Sequence, residues 1–211
     1  VSNDKGLFLD LDGTLAGSLP VLKDVYLSFL RDRGSVGSEA EFQRLNGLPF
    51  SSVIETLRLT HNLRGHPTEL NQCYSAMIRL AHASSPPAIG ADFLLKSARA
   101  NGWKIAVVTS AIRRVAIEWL DRNALLNQVD AVVGSDDVVC GKPSPDPYYL
   151  ALSQTFCAAD KSFAVEDSRS GAQAALAAGL ATWVIAPPPS RTGWPARVNF
   201  IAGLGDLIEK L

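Results

Sequence analysis

The sequence predicts an α/β fold: a Rossmann-like parallel-sheet core with a small all-helical cap domain inserted after the first strand. Three observations predict it. Short apolar runs of strand length recur along the chain, separated by stretches of helical periodicity. Polar residues stand directly at the ends of those runs, where open sheets of this kind bind ligands. One segment, residues 18–87, carries helical patterns and no convincing strand.

The elements follow in order. Gly6-Leu-Phe-Leu-Asp10-Leu11 reads as a buried strand that ends in an acidic loop. Amphipathic helices are expected at 20–33, 38–45, 51–62 and 67–83. They close at Ser84-Ser85-Pro86-Pro87, a breaker cluster suited to a hinge. Strands are then expected at 104–109, 129–133, 162–165 and 181–185, with helices at 90–101, 112–123, 145–157 and 170–178. Ser144 or Asp146 is placed to cap the third of these helices, with Pro145 near its first turn. The Pro-rich stretch 187–195 reads as a surface loop. This pattern assigns residues 1–17 and 88–211 to the core and 18–87 to the cap.

Composition excludes several classes. With 211 residues, 47% of them apolar, the chain is long and apolar enough to fold around a sizeable core. A net charge of −1 provides no broad electrostatic surface for nucleic acid or anionic membranes. A small anionic ligand must therefore be held by a few local cations. The three cysteines, Cys73, Cys140 and Cys157, are odd in number and lack metal-ligand spacing, which suits reduced thiols in a cytoplasmic protein. The longest apolar stretch, Ala174 to Ala186, is too short for a bilayer and stops at Pro187-Pro188-Pro189. The first residues lack a secretory apolar run, although the missing Met leaves a removed leader open. A soluble, cytoplasmic monomer is expected.

Four polar clusters fall at strand ends. In Asp10-Leu11-Asp12-Gly13-Thr14-Leu15, two carboxylates two residues apart can face one cleft, one attacking while the other moves a proton. An ordinary Asp-Gly turn explains this cluster, taken alone, about as well. Thr109-Ser110 offers hydroxyls and backbone N–H groups for a phosphate, or a plain helix cap. Lys142, in Gly141-Lys-Pro-Ser-Pro-Asp146, sits on a stiff segment and can neutralise a phosphate oxygen, or be a solvated loop Lys. Glu166-Asp167 suits a hard cation such as Mg²⁺, or a helix N-terminus that favours acids.

At every cluster, and in their order, these residues resemble the haloacid dehalogenase-like phosphatase superfamily. The matching stretches are Asp10 to Leu15, the Thr109 strand end, Gly141 to Asp146, and Glu166-Asp-Ser-Arg-Ser-Gly171 with the Ala-rich helix after it. The insert at 18–88 is similar to the small cap of the beta-phosphoglucomutase and phosphoglycolate phosphatase branch. The resemblance implies roles. Asp10 is the nucleophile and a Mg²⁺ ligand. Asp12 is the general acid and then the base, with its backbone carbonyl on the metal. Thr109 binds phosphoryl oxygens, aided by Ser110. Lys142 offsets negative charge. Asp167 ligates Mg²⁺, and Glu166 does so directly or through water. The implied activity is Mg²⁺-dependent hydrolysis of a small phosphorylated metabolite, a sugar phosphate or a phosphoglycolate-like ester, through an aspartyl-phosphate.

The charge balance supports this independently, because a carboxylate attacking a phosphate dianion needs cations to offset repulsion. A phosphomutase would need a cap that holds a second phosphate, yet from Val1 to Leu95 the only lysines are Lys5 and Lys23. A dehalogenase would not need the proton that Asp12 supplies. A catalytically silent binding module would be favoured by loss of Asp10, Asp12, Lys142 or Asp167, and all four are present. In the cap, Arg44 and Asn46 beside Gly47 are the expected substrate contacts. His61, His66 and His82 read as cap-surface or interhelix residues, and Trp103, Trp119 and Trp183 as packing residues.

Overall fold

The computed structural model describes residues 4–186 and 191–211. Its six strands are β1 (Gly6–Leu9), β2 (Lys104–Val108), β3 (Ala131–Val133), β4 (Phe163–Glu166), β5 (Ala181–Ile185) and β6 (Val198–Ile201). They form one sheet in the order β3-β2-β1-β4-β5-β6, with every neighbouring pair parallel. β1 is central, and Leu9 lies opposite Val107 on one side and Val165 on the other. Asp10, the next residue, therefore emerges between the carboxyl ends of β2 and β4, at the switch point where such sheets form a crevice.

Alternation along the strands explains why both faces are covered. Leu7, Leu9, Ile105, Val107 and Val165 join one apolar cluster with α5 (Ala91–Ala100) and α6 (Arg113–Arg122). Phe8, Ala106, Val108 and Ala164 join another with α7 (Asp146–Thr155) and α8 (Arg169–Ala177). Leu7, Phe8 and Leu9 are fully buried, and each such side chain contributes about 1.5–3 kcal/mol relative to exposure.

Between β1 and α5 lie α1 (Leu19–Arg31), α2 (Glu39–Leu45), α3 (Phe50–Thr60) and α4 (Pro67–Ser84). They surround their own apolar cluster. In α1 the buried residues Leu22, Tyr26, Phe29 and Leu30 recur at helical spacing, one stripe facing inward. A buried polar network ties the helices. Tyr26 donates to Glu41 Oε2 at 2.5 Å, and His61 Nε2 lies 2.9 Å from the same oxygen. Burial alone would raise the Glu41 carboxyl, but Tyr26 and His61 outweigh it and hold it low. The chain enters and leaves these helices through paired segments. Gly17 N–H donates to Pro86 O at 2.9 Å and Ala88 N–H to Leu15 O at 2.8 Å. Trp119, 1% exposed, donates from Nε1 to Ser85 O at 2.9 Å.

Differences from expectation are local. β6 was not anticipated: it is a four-residue edge strand in which only Ile201 is buried, so its sequence carries little apolar alternation. Neither Ser144 nor Asp146 caps α7. Pro145 occupies the cap position without a side-chain bond, and Asp146 is the first helical residue. Of the expected Pro-rich loop, residues 191–195 are irregular and residues 187–190 lie outside the described residues. All three cysteines are free thiols. Among the described residues no helix is long and apolar enough to cross a membrane.

Candidate active site

Asp10 is 6% exposed, and its backbone N–H donates to Val165 O at 3.0 Å, extending the β1–β4 pairing by one residue. The chain then turns sharply at Gly13. That turn needs glycine: φ is +82°, and a Cβ there would lie 2.1 Å from Asp167 Oδ2. The close passage brings the two acidic strand ends together. One oxygen each of Asp10, Glu166 and Asp167 lies within 4.8 Å of the others.

Lys142 reaches into this cluster from the loop before α7. Its Nζ donates to Asp10 Oδ1 at 2.7 Å, to Glu166 Oε1 at 2.6 Å and to Val108 O at 2.9 Å. Burial alone would favour a neutral amine, but Asp10 and Glu166 outweigh it and raise the Lys142 pKa. Tyr148 donates to Glu166 Oε1 at 2.5 Å, and Ser168 to Oε2 at 3.1 Å. Both Glu166 oxygens are thus committed to protein donors. The Asp10 carboxyl is pushed well up by burial, Lys142 opposing this and Glu166 and Asp167 adding to it. The Asp167 carboxyl is pushed up to about 7 by burial and by Glu166.

Asp12 is held differently. Ser18 Oγ donates to its Oδ1 at 2.6 Å, and His82 Nε2 lies 3.1 Å from the same oxygen. The imidazole is close enough for an ion pair but is not aligned for a hydrogen bond. Burial would press His82 toward neutrality, yet Asp12 outweighs it and raises the imidazole pKa. His82 is 2% exposed, so it is neither a surface residue nor a plain interhelix contact: it faces the loop after β1. His61 does lie between helices, and His66 caps α4.

Thr109 directly follows β2 and is 3% exposed. It is not a helix cap, since α6 begins only at Arg113; its Oγ1 accepts from Ala111 N–H at 3.0 Å. Ser110 Oγ donates to Gly47 O at 2.9 Å, joining core to cap. Asp10, Asp12, Thr109 and Ser110 share one cavity, bounded on its far side by the four inserted helices. Asn46 lines it and donates from Nδ2 to Asp167 Oδ2 at 2.7 Å. Arg44 does not line it. It borders an adjoining groove with Lys23, Asp167 and Arg169, which shares Phe42 and Asn46 with the cavity at Asp10.

Ser18, His82 and Tyr148 were missed by the sequence reading. A signal existed for the first two. Ser18 opens the insert, and His82 stands two residues before its closing breaker cluster, so both must pass near the loop after β1. Tyr148 offered no such signal, because its role depends on Glu166 lying across the sheet.

This geometry can attack an electrophile with one carboxylate while a second moves a proton. It also gathers three carboxylates around one ammonium, an excess of negative charge with hard oxygen donors that fits Mg²⁺.

The haloacid dehalogenase-like hydrolase family matches residues 7–185, which include every element of the site. The chain belongs to that family. It is 28% identical over 180 residues to a phosphorylated carbohydrates phosphatase of Thermotoga maritima, covering 83% of this chain and 82% of that one. It is 29% identical over 216 residues to a phosphoglycolate phosphatase of Rhodospirillum rubrum, covering 96% and 90%. The fold superposes on a beta-phosphoglucomutase crystal structure from Clostridium difficile with a TM-score of 0.84 at 13% identity, over 96% of this chain and 92% of that one. The expected enzyme class, a phosphoric monoester hydrolase, is that of the two phosphatases. At 13% identity the mutase likeness concerns the fold alone.

Proposed function

We propose that the chain is a Mg²⁺-dependent phosphohydrolase that passes through an aspartyl-phosphate on Asp10. The observation that carries this reading is buried Lys142 held at 2.7 Å from Asp10 and 2.6 Å from Glu166, behind the carboxylate that lines one cavity with Asp12 and Thr109. Asp10 attacks phosphorus, and the bond to the leaving oxygen breaks. Asp12 donates a proton to that oxygen, then takes one from the water that cleaves the aspartyl-phosphate. Thr109 and Ser110 hold phosphoryl oxygens. Lys142 fixes Asp10 Oδ1 and offsets charge.

Asp10, Asp167 and the Asp12 backbone carbonyl would hold Mg²⁺, which supplies positive charge against the repulsion between carboxylate and phosphate. Glu166, with both oxygens engaged, serves chiefly to hold Lys142, and any contact with the ion would run through water. Residues 18–87 act as a cap over a core of 1–17 and 88–211, closing the site to bulk water during chemistry.

The substrate is a small phosphorylated metabolite. The relatives' names, a phosphorylated carbohydrates phosphatase and a phosphoglycolate phosphatase, support a sugar phosphate or a phosphoglycolate-like ester. The test is phosphate release from a panel of such esters with Mg²⁺ and with EDTA. Release that requires Mg²⁺ and disappears in Asp10→Asn is expected. Isomerised phosphate without inorganic phosphate would replace the hydrolase by a mutase.

A further inference from the structure

The cavity at Asp10 has two unlike walls. The core wall is polar: Asp10, Asp12, Thr109 and Ser110. The cap wall is apolar and aromatic, with Leu22, Phe42, Leu45, Phe50, Tyr74 and Ile78. Leu22, Leu45, Tyr74 and Ile78 belong at the same time to the apolar interior of the cap, so the cavity reaches into that interior. Among the described residues that line it there is no Lys, Arg or His. The cap cations Lys23 and Arg44 border the adjoining groove instead, which meets the cavity at Phe42 and Asn46, and Lys23 is paired with Glu39.

The polar groups of the cap wall are mostly committed. The Tyr26 hydroxyl accepts from Ser38 N–H and donates to Glu41. The Asn46 amide is on Asp167, and the Gly47 carbonyl accepts from Ser110. Tyr74 is 5% exposed, and burial with the neighbouring Tyr26 keeps its phenol protonated. A carboxylate or second phosphate placed against this wall would be desolvated without a counter-charge, which is strongly unfavourable. An apolar surface placed there would gain contact. A single methylene in such a pocket discriminates by roughly 10- to 200-fold.

We infer that the leaving group is uncharged and carries an apolar face that packs into the cap. The substrate is then the monophosphate of a neutral alcohol, and esters bearing a second anionic group are poor substrates. This rests on the phosphohydrolase reading and divides the two substrate classes named there. It excludes the phosphoglycolate-like ester.

The test compares kcat/KM for benzyl phosphate, glucose 6-phosphate and phosphoglycolate with the full chain and Mg²⁺. Benzyl phosphate and phosphoglycolate both leave as alkyl alcohols, so intrinsic reactivity is similar and the wall decides. Benzyl phosphate is expected to exceed phosphoglycolate by about 100-fold or more, within the range such pockets reach. Ile78→Lys, which places a cation in the wall, should shift the ratio toward phosphoglycolate. Equal or better hydrolysis of phosphoglycolate by the wild-type chain would overturn the inference, whether or not the Lys variant folds. Calorimetry on Asp10→Asn gives a second readout: benzyl phosphate should bind more tightly than phosphoglycolate, and the reverse order overturns the inference. If no ester is hydrolysed, the phosphohydrolase reading falls, and that binding order still tests the wall.

Discussion

At the scale of single residues the site depends on Lys142, which is 2% exposed and satisfied by three acceptors. Removing one partner of a buried charge pair strands the other. Lys142→Met should therefore destabilise the fold by about 3–5 kcal/mol as well as abolish turnover. Urea unfolding measures the first effect, and an unchanged midpoint would contradict it. Asp167 makes a pH prediction. Its carboxyl is pushed up to about 7 from an ordinary 3.8 by burial and Glu166. A carboxyl raised in the folded state takes up a proton on folding, so this contribution weakens stability as pH rises through that window. A bound cation removes the cause. Added Mg²⁺ should raise Tm clearly at pH 8 and little at pH 5, and equal shifts at both would contradict this account.

At the scale of elements the decisive local feature is the turn after β1. Gly13 has φ of +82° and leaves no room for a Cβ beside Asp167. Gly13→Ala should cost about 1–3 kcal/mol from backbone strain and weaken Mg²⁺ affinity, read by unfolding and by metal titration. Gly47 makes the matching approach from the cap, where a Cβ would stand 2.3 Å from Ser168 Oγ. Much of this scale was readable in advance. The buried strands announced themselves because β1, β2 and β4 are apolar on both faces, and each ends in the polar residue that becomes part of the site. β6 was not readable, because an edge strand with one buried residue owes its existence to pairing with β5. Arg44 lines the groove at Asp167 and not the cavity at Asp10, a placement that was not readable for a related reason. Adjacency to Gly47 in the chain says nothing about which side of α2 faces Asp10. His82 was misread because its partner, Asp12, is 70 residues away in sequence.

At the scale of the molecule, function depends on how the inserted helices meet the sheet. Among the side-chain bonds that bridge them at the site are Asn46 to Asp167 at 2.7 Å and Ser110 to Gly47 at 2.9 Å. The paired segments at Ala16–Gly17 and Pro86–Ala88 form the two-stranded connection about which the cap would open. Ser18 and His82, at the two ends of the insert, both touch Asp12, the carboxylate proposed here as general acid. Asn46→Ala removes one tether and should weaken the closed state by about 1.5–3 kcal/mol, the range for a hydrogen bond to a charged group. Steady-state kinetics should show KM rising several-fold more than kcat falls. A change in kcat alone would place Asn46 in the chemistry instead.

The central claim, that Asp10 becomes phosphorylated, has a direct test. The enzyme is quenched in acid during turnover of an ester it hydrolyses, reduced with borohydride and digested for mass spectrometry. Reduction of an aspartyl-phosphate converts that residue to homoserine. The account predicts homoserine at position 10 and at no other position, dependent on substrate and Mg²⁺. Unmodified Asp10 in enzyme caught during active turnover, or modification of another carboxylate, would contradict it.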